Sequence, residues 1–324
     1  MAWIESHWER VTPVSLLLYP LSLLYGAAAA ARRATATPVR LPVPVVVVGN
    51  ITAGGTGKTP LTLWLAEFLR AHGRSPGIVS RGYGGDASGP ARVEAGSDPR
   101  HYGDEAVLLA RESGCPVWIA ADRVAAAQAL LAAEPACDVI LSDDGLQHYH
   151  LARDVEICVV DGSRGFGNGW LLPAGPLREM PSRLASVDAV VINGAAPIAI
   201  PGNAPRFAMT IDGREFRNLL NPSRTVGAEA FQGQRVHVVA GIGNPDRFFR
   251  HLETLGLDFT AHPFPDHHPY AAADIAFDSA DAVLMTGKDA VKCRSFASER
   301  HWELAVNAVP VPAFGEFLLG KIRK

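Results

Sequence analysis

Cysteine is scarce in this sequence, and charge is thin. The four cysteines, Cys115, Cys137, Cys158 and Cys293, include no pair at CxxC spacing. That excludes a zinc ribbon and a dithiol redox motif. They fall in or beside apolar runs, as small buried hydrophobes in a reducing compartment do. Charged residues make up 19% of the chain and the formal net charge is −3. There is no overall basic field, and no nucleic-acid partner is expected. Internal repeats are absent, as is any low-complexity tract beyond a run of alanines. What remains is a folded globular composition, 48% apolar over 324 residues, enough for one large domain or two ordinary ones.

The N-terminus also lacks charge. Val14 to Ala31 carries none, and Arg32-Arg33 follow it. As a helix this stretch is about 27 Å long, close to the ~30 Å hydrocarbon thickness of a bilayer. Pro20, Gly26 and five alanines weaken a regular span, and Glu5 and Glu9 argue against a signal peptide. The favoured expectation for residues 1–34 is a helix lying in a membrane interface, with Trp3, Trp8 and the arginines at headgroup level. A true span and a helix buried against the protein are the alternatives.

A proline-rich connector, Thr35 to Pro44, leads into alternating strand-like and helix-like segments. Strands are expected at 43–48, 77–80, 117–120, 138–142, 155–160 and 189–192, and helices at 60–72, 104–112 and 122–133. Runs that are apolar throughout, linked by helical crossovers, predict an α/β fold with a mostly parallel sheet covered on both faces. The expected division is a nucleotide-binding core over 35–195, a proline- and glycine-rich linker over 196–230, and a smaller C-terminal α/β domain over 231–324.

The core opens on Thr52-Ala53-Gly54-Gly55-Thr56-Gly57-Lys58-Thr59. This matches the phosphate-binding loop G-x-x-x-x-G-K-[ST] except that Thr52 replaces the first glycine. A four-valine strand runs in and Pro60 starts a helix, the context such a loop requires. Glycines let backbone N–H groups turn toward phosphates, and the helix N-terminus adds favourable partial charge. Lys58 then serves the β- and γ-phosphates of ATP, and Thr59 offers a hydroxyl to Mg²⁺. The acid that completes such a metal site is expected at the end of another strand, where Asp143 and Asp144 follow Val139–Leu141.

Further motifs run in order along the chain: SRGYGG (80–85), GDEAVLLA (103–110), SDDGLQH (142–148), PAGPLRE (173–179), GIGNPDRFF (241–249), FPDHHPY (264–270) and KDAVKC (288–293). Together with GNITAGGTGKTP they resemble the tetraacyldisaccharide 4′-kinase family, over nearly the whole chain. The resemblance implies γ-phosphoryl transfer from ATP, with Mg²⁺, to the 4′-hydroxyl of an acylated glucosamine disaccharide 1-phosphate lipid. It also implies work at the cytoplasmic face of the bacterial inner membrane, without an obligate protein partner. By the same resemblance Asp104 is the general base and His267 its partner, which requires the two lobes to close on each other. Arg123 and Arg178 are expected at nucleotide or substrate phosphates, and Glu105 at Mg²⁺ through water. Gln147, His148, Arg81 and Tyr83 are expected near the site. The family often has glutamate where Gly287 stands. A P-loop switch or metal-insertion NTPase is the alternative. The chain offers neither a Cys/His cluster nor an Asn-Lys-x-Asp tetrapeptide for it, Gly287–Ala290 being a near miss.

Overall fold

The computed structural model describes residues 2–194 and 199–322, with side chains from Ile4 on. After a short turn of helix (α1, Ala2–Glu5), α2 spans Pro13–Thr35. Thr12 caps it, its hydroxyl accepting the Ser15 N–H while Ser15 returns a bond to the Thr12 backbone, so two orphan donors of the first turn are satisfied. Pro13 sits at the tolerated first position. Pro20 lies inside the helix without ending it. The Trp3 side chain lies outside the described residues.

The chain then builds β1 (Val45–Gly49), α3 (Lys58–Ala71), β2 (Pro76–Ser80), β3 (Ala91–Val93), α4 (Pro99–Tyr102), α5 (Asp104–Glu112), β4 (Val117–Ile119), α6 (Arg123–Ala133), β5 (Val139–Asp143), β6 (Val155–Asp161) and β7 (Ala189–Asn193). The sheet order here is β3-β4-β2-β5-β1-β6-β7, parallel except for β3. β1 is central, and its valines explain why. Val46 and Val48 enter the core on one face, while Val45 and Val47 enter the core on the other. A strand covered on both faces needs apolar side chains at every position.

The second lobe follows: β8 (Arg206–Asn218), β9 (Thr225–Val226), β10 (Val236–Ala240), α7 (Pro245–Thr254), β11 (Thr260–Pro263), β12 (Ala282–Thr286), α8 (Gly287–Cys293), β13 (His301–Pro310) and α9 (Pro312–Ile322). Two segments lie otherwise than the expected division has them. Residues 206–218, expected within a linker, form the long strand β8, which pairs in parallel with β7 and antiparallel with β13. One sheet therefore runs unbroken through both lobes. Nor does the C-terminal segment all belong to the second lobe. Phe314, Leu318 and Ile322 of α9 enter the first lobe's core beside Phe68. The expected boundary between 195 and 196 lies outside the described residues. Composition misread the middle because β8 is largely exposed, alternating polar with apolar along its length, and its flanks are rich in proline and glycine. Cys137, Cys158 and Cys293 are buried and Cys115 is half-buried, all as free thiols.

Candidate active site

The phosphate loop joins β1 to α3 at the carboxyl edge of the parallel strands, where open α/β sheets bind ligands. Asn50 lies buried beneath it and donates to Gly54 O at 3.4 Å and Thr56 Oγ1 at 3.3 Å. Gly57 has φ of +98°, and an added Cβ would stand 2.6 Å from Asn193 Nδ2, so both conformation and space demand glycine. Asn193, at the end of β7, donates to Thr56 O at 2.9 Å. From the second lobe, Gly243 comes so close that a Cβ there would sit 2.7 Å from Gly55 N. Arg164 reaches Gly55 O at 2.9 Å. Lys58 is buried, with Nζ 3.6 Å from Asp144 Oδ1.

The paired acids divide their tasks. Asp144 has a left-handed backbone, φ +47°, and both its oxygens accept from Arg178 Nη1 at 2.9 Å. Burial opposes its charge, but Lys58 and Arg178 outweigh burial and hold its carboxyl below the usual range. Asp143 is fully buried. Its Oδ1 accepts from Thr62 at 2.9 Å, and its Oδ2 has no partner. Burial, and then the charges of Glu105 and Asp144, push its carboxyl up to about 7. A buried carboxylate with a free oxygen and other acids beside it is the kind of donor a divalent cation takes. Among the described residues no three His, Cys, Asp or Glu side chains gather closely enough to hold a metal alone. Mg²⁺ does not need that, since it takes one or two carboxylates with phosphate oxygens and water. Thr59, Glu105 and Asp144 line the cleft, Asp143 beside them keeps one oxygen without a partner, and Asp144 also meets Lys58 and Arg178.

Asp104 opens α5 and is 5% exposed. It is not the cap: Gly103 occupies that position without a side-chain bond. Both carboxylate oxygens lie 3.1 Å from His267 Nδ1, across 163 positions of sequence. His267 has φ of +60°, a strained conformation for a non-glycine residue of the kind functional sites store. Its ring packs 4.9 Å from that of Tyr83. Burial raises the Asp104 carboxyl, but the His267 hydrogen bond and the charges of Lys288, His267 and Lys292 together lower it below its ordinary value. Burial, and then Lys288, lower the His267 imidazole, but the Asp104 hydrogen bond and the charges of Asp104 and Asp266 together leave it raised.

The lysines of the KDAVKC motif were given no role by sequence reasoning, yet they complete this cluster. Lys288 Nζ lies 3.2 Å from Glu105 Oε1, 3.1 Å from Asp266 Oδ1 and 3.3 Å from His267 Nε2. Lys292 Nζ lies 3.6 Å from Asp104 Oδ2 and 3.0 Å from Asp289 Oδ1. Their i,i+4 spacing puts both on one face of α8, the signal that was there to be read. A Cβ at Gly287 would make ordinary van der Waals contact with Leu108 Cδ1 at 3.5 Å and lie 3.9 Å from Arg111 and Glu303.

One cleft of about 2420 Å³ runs past the phosphate loop, Glu105, His267, Lys288 and Arg81 to Tyr25 and Arg32 of α2. That exceeds the ~300–1,000 Å³ of a drug-sized site and suits two large substrates at once. Arg123 lines the same cleft. It is 2% exposed, and its terminal nitrogens donate to Ala120 O at 2.9 Å and Asp143 O at 3.5 Å. It braces the acid turn from beneath. Burial lowers its pKa to about 10, with Asp143 and Asp144 opposing, so it stays charged. Gln147 Nε2 donates to Asn50 O at 3.0 Å and Glu179 Oε1 at 2.7 Å, ordering the loop. Burial and the nearby Arg123 and Arg81 push His148 down to about 3, which keeps it neutral.

Comparison with known proteins agrees with this construction. The family model for tetraacyldisaccharide-1-P 4′-kinase matches residues 14–323. The tetraacyldisaccharide 4′-kinase of Aromatoleum aromaticum is 54% identical, over 97% of this chain and 96% of that protein. The enzyme of the same name from Pseudomonas aeruginosa is 50% identical, over 97% and 93%. The crystal structure of LpxK from Aquifex aeolicus in complex with ATP superposes at a TM-score of 0.81 with 27% identity, covering 95% of this chain and 99% of that one. The switch-NTPase alternative is not favoured. The chain belongs to the tetraacyldisaccharide 1-phosphate 4′-kinase family, as an ATP-dependent phosphotransferase of lipid A biosynthesis that acts on an alcohol.

Proposed function

We propose that the transfer to the 4′-hydroxyl is carried by residues of both lobes, and one observation carries the reading: Asp104 of the first lobe and His267 of the second meet at the cleft that holds the phosphate loop. Residues 52–59 wrap the triphosphate, and Lys58 binds its terminal phosphates. Asp143, Thr59 and, through water, Glu105 would hold Mg²⁺, which neutralises charge on the phosphate oxygens. Asp104 takes the hydroxyl proton as the sugar oxygen bonds to the γ-phosphorus. The bond from that phosphorus to the bridging oxygen breaks, and ADP leaves. His267 orients Asp104 and is a poor acceptor itself. As a cation it has no lone pair, and as a neutral ring its free lone pair faces Lys288.

His267→Ala is expected to lower kcat about 10- to 100-fold with KM for ATP little changed. It should also move the acid limb of the kcat profile to higher pH, because the strongest influence lowering Asp104 is gone. Radiolabelled ATP with a lipid A disaccharide in detergent, beside a no-lipid control, reads both. A wild-type rate and profile would end the pairing.

The lipid acceptor suits α2. The helix has 23 residues, and its most apolar 18-residue window has mean hydropathy 1.7 and is only 11% buried. Leu16, Leu17, Leu21, Leu23 and Leu24 are exposed, and Arg32 and Arg33 close its last turn. A place in the interface of the cytoplasmic leaflet accommodates both features. Leu17→Ser with Leu24→Ser should cut sedimentation with phosphatidylglycerol vesicles severalfold. Undiminished sedimentation would remove α2 from the membrane.

A further inference from the structure

A buried hydroxyl on α2 bonds to the nucleotide side of the molecule. Ser22 is 2% exposed in a helix that otherwise leaves most of its side chains uncovered. Its Oγ donates to Leu171 O at 2.8 Å and accepts from Ala174 N at 3.0 Å. One turn on, Gly26 lets Leu171 approach so closely that a Cβ would meet its Cδ1 at 2.7 Å. One turn back, the Tyr19 ring packs 4.6 Å from Trp170. A second strut comes from Trp8, whose Nε1 donates to Pro173 O at 3.0 Å.

The loop so gripped is short and closed on itself, with Leu172 N bonded to Leu177 O at 2.8 Å and Leu177 N to Trp170 O at 3.0 Å. Its far side holds the phosphate loop. Pro176 O accepts from Ala53 N at 2.7 Å, and Arg178 N donates to Ile51 O at 2.7 Å. Leu177 pairs with Thr52. Arg178 then grips Asp144. Between Ser22 and the start of the triphosphate cradle there is thus one rigid loop, bonded on both sides.

We propose that Ser22 is a positioning residue for the nucleotide: through residues 171–178 it sets Ala53 and Arg178, so α2 shapes the ATP site as well as meeting lipid. The inference rests on the phosphate-loop reading above. Ser22→Ala leaves the buried Ala174 N–H without a partner and removes one of the two bonds to Leu171 O, which keeps that from Gly175 N. The loop then relaxes at its outer edge and slackens at its inner one.

The test titrates a fluorescent ATP analogue with Mg²⁺ into the full-length protein in detergent, for wild type, Ser22→Ala and Trp8→Phe. Ser22→Ala should raise Kd and KM for ATP about fivefold, the lower end of the cost of an unpaired buried donor. At saturating ATP, kcat should stay within about twofold, and sedimentation with vesicles should match wild type because the exposed leucines are untouched. Trp8→Phe, which removes the second strut and little else, should weaken ATP in the same direction by about twofold. If the wild type binds the analogue and both folded variants bind it equally well, Ser22 has no such role. If the wild type does not bind it, the phosphate-loop reading itself fails.

Discussion

Replacing Lys58 with alanine is expected to lower kcat/KM for ATP by about a thousandfold or more. One preorganised donor on developing oxyanion charge is worth roughly 10²–10³ in rate where water is excluded, and Lys58 is also the cation that accompanies the terminal phosphates in the ground state. The site makes the loss worse. The charges of Glu105 and Asp144 act on Asp143, and Lys58 is one of three cations, with Arg178 and Arg123, that keep Asp144 ionised. Without it the acids are left with Arg178 and the buried Arg123, and a polyphosphate approaching them meets net repulsion. Lys58→Arg is expected to fail nearly as badly, because a planar guanidinium cannot take the place of a compact ammonium 9% exposed beneath a tight loop. Steady-state kinetics with a fluorescent-nucleotide titration checks both. A variant keeping a tenth of wild-type turnover would displace Lys58 from the phosphates.

Asp104→Ala is expected to lower kcat roughly 10²- to 10⁴-fold while leaving ATP affinity within about threefold, because the carboxylate touches His267 and Lys292 and not the phosphate loop. Its loss should exceed that of His267→Ala. The reverse order would assign the proton to the imidazole. Asp104→Asn separates base from scaffold, since it keeps the shape and the bond to the Glu105 N–H while losing basicity. It should be as slow as alanine yet melt closer to wild type. The pH dependence follows from the shifts. The folded-state carboxyl lies below its ordinary 3.8, so its stabilising contribution is present above that value and is lost as pH falls through the folded one. The imidazole lies above 6.5, so its contribution is full below 6.5 and is lost as pH rises through the folded value. The pair is therefore most stabilising between these limits. A thermal melt of Asp104→Asn against wild type should show its greatest difference near pH 5 to 6. A difference that grows steadily above pH 8 would contradict the pairing.

The nucleotide side of the site was legible because its signals are local. A valine strand, a glycine-rich turn and a helix start fix backbone conformation within 15 residues, and the structure builds β1, the loop and α3 there. The strand that ends in Asp143 was readable from its apolar run for the same reason. The bonds that Arg123 makes to main-chain oxygens were not legible. A residue after a strand end faces either the ligand or the turn beneath it, and burial among main-chain carbonyls is not visible in a sequence.

The sequence by itself determined the alternating strands and helices, the triphosphate cradle, the paired acids and the apolar N-terminal helix, because periodicity, glycine conformation and composition act over a few turns of chain. Only the tertiary structure decided that β8 joins the lobes into one sheet, that α9 returns to the first core, that Lys288 and Lys292 surround the dyad, and that Ser22 reaches toward the phosphate loop. Each of those depends on contacts between distant segments. Their strength comes from burial and hydrogen-bond closure across the β8–β13 pair and the 171–178 loop, which no short window of residues contains.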